Sequence, residues 1–264
     1  MVDNASGDDS CTVIAQAIEE NGWNGWVELL AAERNGGFAY GNNVGISRAL
    51  AEGEEVTYVL LLNPDTLVRP GAIETLVRFM DDHPSVGIAG SGIINPDGTR
   101  RRTAFRYHSI GTEFVGMLRF GPVSRLLPWC VVAPEPPDTA CRVDWVSGAA
   151  MIVRREVFET VGLMDEDYFL YFEETDFCLQ AERKGWECWY VPSARVVHLV
   201  GQSTQVTSKD ASLRRRPEYW FDSRRRYFAK NHGRVYLYGA NLAWLAGAVL
   251  SRLRQIVSRK ANPD

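Results

Sequence analysis

Apolar and polar positions alternate in blocks along this chain, and the blocks predict its elements. Residues 59–62 (Val59, Leu60, Leu61, Leu62) are unbroken apolar and stop at Asn63-Pro64-Asp65. A short apolar run ended this way reads as a buried strand of a parallel sheet. Pro64 cannot continue a ladder and biases Asn63 to an extended conformation, so Asp65 is expected just past the carboxyl end of a central strand. Similar runs predict strands at 26–30, 86–90 and 145–153, and strand-like pieces at 188–191 and 195–199. Helical spacing appears behind Pro70-Gly71, with Ile73, Leu76, Val77 and Met80 on one face. Ser10 caps an earlier helix whose inner face includes Ala15 and Ile18. Another helix opens at Arg154-Arg155-Glu156 and ends near Gly162. A further one runs from Glu173 to Gly185 with Phe177, Leu179 and Ala181.

Between these lie segments without periodicity. Asn35-Gly36-Gly37-Phe38-Ala39-Tyr40-Gly41-Asn42-Asn43-Val44-Gly45 reads as a loop whose glycines let backbone N–H groups approach a ligand, followed by a helix at 46–52. Most Gly/Asn loops are only turns. Asn95-Pro96-Asp97-Gly98 is a turn. Residues 100–142 carry five prolines and read as one long irregular cover. The opening, Val2-Asp3-Asn4-Ala5-Ser6-Gly7-Asp8, is loop chemistry with no strand before it, as in a βα crossover whose strand is missing; a disordered start is the plainer alternative. At the other end a basic, aromatic helix is predicted over 214–232 and a second over 236–257, too interrupted for a membrane span, which needs ~20 apolar residues.

Charge changes the picture of that tail. The 264 residues carry a net −4. From residue 200 onward 13 Lys/Arg face 4 Asp/Glu, whereas the preceding part carries 16 against 29. An acidic body argues against nucleic acid as a partner, and a basic tail points to an anionic surface. Flanking Arg252, Arg254, Arg259 and Lys260 suit an interfacial helix; packing on the body or on a second subunit is the alternative. Five scattered cysteines without CxxC spacing suggest reduced thiols in a cytosolic setting. The polar stretch after Met1 does not read as a secretory leader.

Three stretches are candidates for chemistry. Asp65 stands at a strand's carboxyl end, where open α/β sheets bind ligands, although a turn or cap aspartate has the same appearance. Glu173, Glu174 and Asp176 fall in the first turn of a predicted helix, where the macrodipole alone would favour them. His198 is by itself a structural histidine. Trp145 either floors a site or fills core, and Arg154 and Arg155 either meet phosphates or lie on a helix surface.

Together these stretches resemble the family 2 glycosyltransferases of GT-A fold, in particular the bacterial rhamnosyltransferase-like branch. The residues that carry the resemblance are Val2-Asp3-Asn4-Ala5-Ser6-Gly7-Asp8, Gly37 to Gly45, Leu62-Asn63-Pro64-Asp65, Trp145-Val146-Ser147-Gly148-Ala149, Tyr171-Phe172-Glu173-Glu174-Thr175-Asp176, and the piece from His198 to Ser203. It implies an α/β GT-A, Rossmann-like sheet, mixed but mainly parallel, over residues 1–210, with a basic amphipathic helical extension over 211–264. It implies a nucleotide-sugar donor held by Asp3, Asn4, Gly41, Asn42, Asn43, Asn63, Asp65, Trp145 and Gly148. A divalent metal, Mg2+ or Mn2+, would bridge the diphosphate through Asp65 and His198. Glu174 corresponds to the catalytic base, with Glu173 and Asp176 supporting it or contacting the acceptor.

Two departures stand out. The family's first strand and helix do not precede Asp3, so the domain reads as truncated or its start as misassigned. Asn63 replaces the first aspartate of the family's aspartate-x-aspartate site, which lowers the charge there. The implied activity is metal-assisted, inverting sugar transfer to a hydroxyl of a glycan or lipid-linked acceptor, in the cytoplasm at the inner face of the membrane. A nucleotidyltransferase of similar sheet and a non-catalytic remnant are the alternatives. Sugar, base and oligomeric state are not specified by the residues.

Overall fold

The computed structural model describes residues 1–51, 53, 55–199 and 216–261, with side chains to Val257. The chain enters through β1 (Val2–Asp3) and α1 (Ser10–Glu20), then β2 (Leu30–Ala31), α2 (Gly37–Leu50), β3 (Tyr58–Leu62) and β4 (Thr66–Val68). Next come α3 (Ala72–Asp82), β5 (Val86–Ile94), β6 (Ala104–Phe105), α4 (Ile110–Leu118) and α5 (Gly121–Leu126). After a 3-10 turn at Pro128–Cys130 follow β7 (Cys141–Arg142), β8 (Trp145–Val146), β9 (Ala150–Arg154), α6 (Arg155–Val161), α7 (Glu173–Arg183) and β10 (Glu187–His198). Two helices close the chain, α8 (Glu218–His232) and α9 (Arg234–Ala261).

The main sheet has the order β3-β9-β5-β10-β4, with β7 also on β10. It is mixed, as expected for the α/β class. The expectation of mainly parallel pairing needs correction: only β5 and β10 run parallel within it, and the other pairs are antiparallel. Correspondingly β3 is not central. It pairs with β9 alone and forms an edge among the described residues. The strand-like pieces at 188–191 and 195–199 join as one strand, interrupted by a register shift between Val191 and Arg195 where Pro192 cannot donate to the ladder.

Alternation along the central strands buries both faces of the sheet. Met151 and Val153 face Ile46, Val157 and Phe177, whereas Ile152 between them faces Leu76 and Met80 of α3. Such two-sided burial follows from the two-residue repeat of side-chain direction. Ile73, predicted on the inner face of α3, is 46% exposed; Ala72, Leu76 and Met80 make that face instead.

Four local readings are revised by tertiary contacts. No strand forms at 26–29: Trp26 is exposed in a turn, and only Leu30–Ala31 pairs, parallel to Val2–Asp3. The chain therefore opens on a short strand rather than directly on a loop. The stretch at 37–45 is helical, because α2 begins at Gly37 and not at Ile46. Residues 100–142 are not one irregular cover. A capping box between Ser109 and Thr112 starts α4, a signal present in the sequence but hidden among prolines. The fourth concerns the tail, which shares a core with the body: Tyr168, Phe172 and Leu179 pack with Tyr227, Phe228 and Leu237 of α8 and α9.

Candidate functional site

The Asn63-Pro64-Asp65 step forms as predicted at the end of β3. Asn63 N–H donates to the Ala149 carbonyl at 3.0 Å, and the Asn63 carbonyl accepts from the Thr66 hydroxyl at 2.6 Å. Its side-chain amide makes no hydrogen bond among the described residues. Because β10 pairs antiparallel with β4 and sets His198 opposite Thr66, the His198 ring arrives beside the preceding residue. His198 Nε2 lies 2.9 Å from Asp65 Oδ1, and Leu199 N–H closes the pair by donating to the Asp65 carbonyl at 2.8 Å. Both side chains are largely covered, at 17% and 12% exposure. A carboxylate oxygen and an imidazole nitrogen form a donor pair suited to Mn2+ and acceptable to Mg2+, whose remaining positions are commonly filled by substrate phosphates and water. Val200, Gly201, Gln202 and Ser203 of the same motif lie outside the described residues.

Glu173 and Glu174 begin α7 directly after two left-handed residues, Tyr171 and Phe172, each at φ 70°. Non-glycine residues in that region are strained and persist only where packing holds them. Phe172 is held by ring contacts with His108 and Tyr227, both tilted, and with Trp220, edge-on. Glu174 is half-buried and its Oε1 accepts the Gly148 N–H at 3.1 Å. Glu173 is 2% exposed, and its Oε2 has no partner among the described residues. Burial, and for Glu173 also the Glu174 charge, pushes both carboxyls above the ordinary glutamate value, Glu173 well above it. Protons on this pair belong to the two groups jointly.

Gly148 joins the two halves. Its N–H holds Glu174, and the next residue's carbonyl holds Asn63. A Cβ at 148 would sit 2.7 Å from the Phe38 ring and 3.1 Å from Glu174 Oε1, so glycine is required by the space. Phe38 was not singled out from the sequence. It is placed by its own N–H, which donates to the Phe169 carbonyl at 2.9 Å just before the acidic helix. That contact also explains why α2 starts early: Gly37 adopts φ +85° and a Cβ there would strike the same carbonyl.

Other predicted residues settle differently. Asp3 is 7% exposed; hydrogen bonds from the Ser6 hydroxyl and N–H hold its carboxyl below the ordinary value. Asn4 ties down the start of α2 by donating to the Gly37 carbonyl at 2.8 Å, and Gly41 packs against it. Gly41, Asn42 and Asn43 therefore present helix, not loop backbone. Asn42 bonds back to the Phe38 carbonyl, and buried Asn43 bonds Met164 through both its amide groups. Trp145 stacks one face on Phe105 at 4.0 Å and donates to the Arg106 carbonyl.

Asp176, expected to support the base or contact the acceptor, is engaged by α8. It is 2% exposed and accepts from Lys230 Nζ and Asn231 Nδ2, each at 2.6 Å. Lys230 also bonds Asp165, so this carboxylate fastens α8 to the body. Arg154 and Arg155 likewise serve structure: Arg154 bonds the Met80 and Val86 carbonyls, and Arg155 pairs with Glu159. Arg101 was not foreseen. It is half-buried, and although burial lowers its guanidinium, the Asp65 charge acts on it in the opposite sense. The only hint in the sequence is the run Arg100-Arg101-Arg102.

The profile of the family described as "Glycosyltransferase like family 2" matches residues 1–229. The N-acetylglucosaminyl-diphospho-decaprenol L-rhamnosyltransferase of Mycobacterium tuberculosis is 34% identical over 154 residues, 56% of this chain and 48% of that protein. The low-salt glycan biosynthesis hexosyltransferase Agl10 of Haloferax volcanii is 28% identical over 75% of this chain and 58% of its own length. The chain thus spans about half the length of the curated relatives it matches. In fold it is similar to a mannosyltransferase of Pyrobaculum calidifontis solved with GDP-Man and Mn2+, at TM-score 0.50 and 14% identity over 98% of this chain and 70% of that one. It is also similar to GalNAc-T7 solved with UDP, GalNAc and Mn2+, at TM-score 0.53 and 16% identity over 75% and 37% of the two chains.

Proposed function

This chain belongs to glycosyltransferase family 2, and we propose that it transfers a sugar from a nucleoside-diphosphate sugar to a hydroxyl of a glycan or lipid-linked acceptor, with inversion. The observation that carries this reading is that one turn, Gly148-Ala149, holds both Glu174 and Asn63, two residues before the Asp65–His198 pair. One side offers a proton acceptor, the other oxygen and nitrogen donors. The names of the relatives favour a hexose or rhamnose as the transferred unit and a diphospholipid-linked glycan as the acceptor.

Glu174 takes the proton from the acceptor hydroxyl as that oxygen attacks the anomeric carbon. The new carbon–oxygen bond forms on the face opposite the departing diphosphate, which leaves with the bonding pair, so one displacement inverts the centre. The raised value of the pair makes Glu174 a stronger base than an ordinary glutamate. Asp65 and His198 would hold a divalent ion, which when bound neutralises charge on the diphosphate. Arg101, whose guanidinium is under the influence of the Asp65 charge, is the residue proposed to add a second positive charge for the phosphates. Asp3 and Asn4, at the end of β1 and against α2, are the residues proposed for the nucleoside.

Conversion of Glu174 to Gln tests the reading. Transfer from a panel of nucleoside-diphosphate sugars should fall about 10²–10⁴-fold, the usual contribution of a positioned base, while nucleotide still raises the thermal midpoint in Mn2+. A wild-type chain that neither binds nor turns over any donor would instead support a non-catalytic role. Release of diphosphate from a nucleoside triphosphate and a sugar phosphate would support the nucleotidyltransferase alternative.

A further inference from the structure

Helix α9 is apolar on two opposite faces. Its inner face, including Leu237, Ala240 and Gly247, packs on α8 and α4 so closely that a Cβ at Gly247 would lie 2.5 Å from the Phe114 carbonyl. Its outer face repeats Val235, Tyr238, Leu242, Leu245, Val249 and Ile256, all exposed, Leu242 by 68%. At 1.5 Å per residue the 28-residue helix is about 42 Å long, and a helix apolar all round is normally covered on every side. No helix among the described residues is long and apolar enough to cross a membrane.

Charge indicates what covers the outer face. From 114 to 134 and from 234 to 261 the chain contains no Asp or Glu, although the body is strongly acidic. The two acid-free segments meet where α4 ends: Arg254 Nη2 donates to the Arg119 carbonyl at 2.9 Å, and its guanidinium lies 4.6 Å from the centre of the Phe120 ring. Beside this contact a cavity of about 360 Å³ is lined by Met117, Arg119, Ala248, Ser251, Arg252 and Gln255. Arg119 and Arg252 form no ion pair among the described residues. Two guanidinium groups, a hydroxyl and an amide around one hollow suit a phosphate, and the adjoining apolar stripe suits acyl chains.

We propose that α9 and the end of α4 form a docking surface for an anionic lipid bilayer, with the Arg119–Arg252 cavity receiving a lipid phosphate and the outer stripe of α9 lying among the upper acyl chains. A second copy of the chain fits less well, since the Arg119–Arg252 end would meet like charge, the carboxylates Asp167 and Asp222 lying beside Tyr238 near the other end of α9. The surface is separate from Asp65 and Glu174, so the inference does not depend on the chemistry proposed for them.

Vesicle flotation tests it, using the full chain with vesicles of phosphatidylcholine alone or with 30% phosphatidylglycerol. The expected result is at least tenfold greater partition onto the anionic vesicles, reduced at least fivefold by 500 mM NaCl. The double variant Arg119→Glu/Arg252→Glu should reduce partition at least fivefold, and Leu242→Glu/Val249→Glu should also reduce it at least fivefold. Glu174→Gln should float like the wild type, which separates failure at this surface from failure at the active site. Equal partition of the wild type onto both vesicle types, or none onto either, overturns the proposal without recourse to any variant. So does a stable dimer by light scattering that Leu242→Glu/Val249→Glu converts to monomer.

Discussion

The amide N–H of Gly148 donates to Oε1 of Glu174 at 3.1 Å, and this one bond fixes the start of the acidic helix to the turn before β9, whose Ala149 carbonyl also holds Asn63. Gly148 has no room for a side chain, with the Phe38 ring and the carboxylate both inside contact distance of a Cβ. Gly148→Ala should therefore displace Glu174 or Phe38. Overpacking of this kind costs about 1–3 kcal/mol, and misplacement of the base should lower kcat at least tenfold. Equal kcat in wild type and variant, measured under saturating donor and acceptor, would show that the bond does not place the base.

The two glutamates give a pH signature. Burial, and for Glu173 also the Glu174 charge, raises both carboxyls above the ordinary glutamate value, so activity should climb with pH on a limb displaced upward from that value. Glu173, the carboxyl raised further, is still protonated where Glu174 titrates, so Glu173→Gln keeps a neutral side chain there and should leave the limb in place. Stability depends on pH too. In the folded chain the pair keeps protons that the unfolded chain has already released, so it opposes folding as pH rises from the ordinary value through the raised one. Glu173→Gln should consequently raise the thermal midpoint at pH 8 more than at pH 4, as a calorimeter would read it.

Acid should act through other carboxylates. Burial pushes Asp165 and Glu113 upward, but hydrogen bonds from Lys230 and Arg226 to Asp165, and from His108 and Arg224 to Glu113, outweigh it and hold both below their ordinary values. Their stabilisation is complete above the ordinary carboxylate range near pH 4 and is lost as pH falls through the lower folded values. Denaturant unfolding between pH 6 and 2 should show a steep loss below about pH 4.

Lys230 bridges Asp165 and Asp176 across the joint between the body and α8. Lys230→Met leaves Asp176, at 3% side-chain exposure, without its cation, although Asn231 Nδ2 still donates to it. Breaking a fully buried pair costs about 3–5 kcal/mol, and with Lys230 itself a third exposed the expected loss is about 2 kcal/mol. Urea unfolding measures it, and an unchanged midpoint would remove Lys230 from the account of how α8 is fastened.

Asp65 and His198 should differ in weight as metal donors. Asp65→Ala removes the anionic ligand and should abolish the extra thermal stabilisation that Mn2+ adds to a nucleoside diphosphate. His198→Ala should weaken it by a factor of about 10–100 in Mn2+ titration. Mn2+-independent stabilisation of the wild type by nucleotide would overturn the assignment of both.

Local pattern determined much of this molecule. The apolar run ending in Asn63-Pro64 specifies β3 and its stop, because Pro64 has no N–H with which to extend the ladder. The acidic first turn and spacing behind Glu173 specify α7, and the same holds for the helix behind Gly71 and the turn at 95–98. Family likeness in six short stretches located Asp65, Glu174 and Gly148 before any contact was known. Tertiary structure alone decided which way the side chains turned. Asp176 stands in the same acidic cluster as Glu174, yet Lys230 and Asn231 draw it to α8, and nothing near position 176 announces partners more than fifty residues away. Asn43 looked like part of a ligand loop until Met164 took both ends of its amide. The early start of α2 depends on the Phe169 carbonyl, and the edge position of β3 on its pairing with β9. Periodicity and caps report what the backbone does over one or two turns; the partner of a buried polar group is set by where distant elements pack.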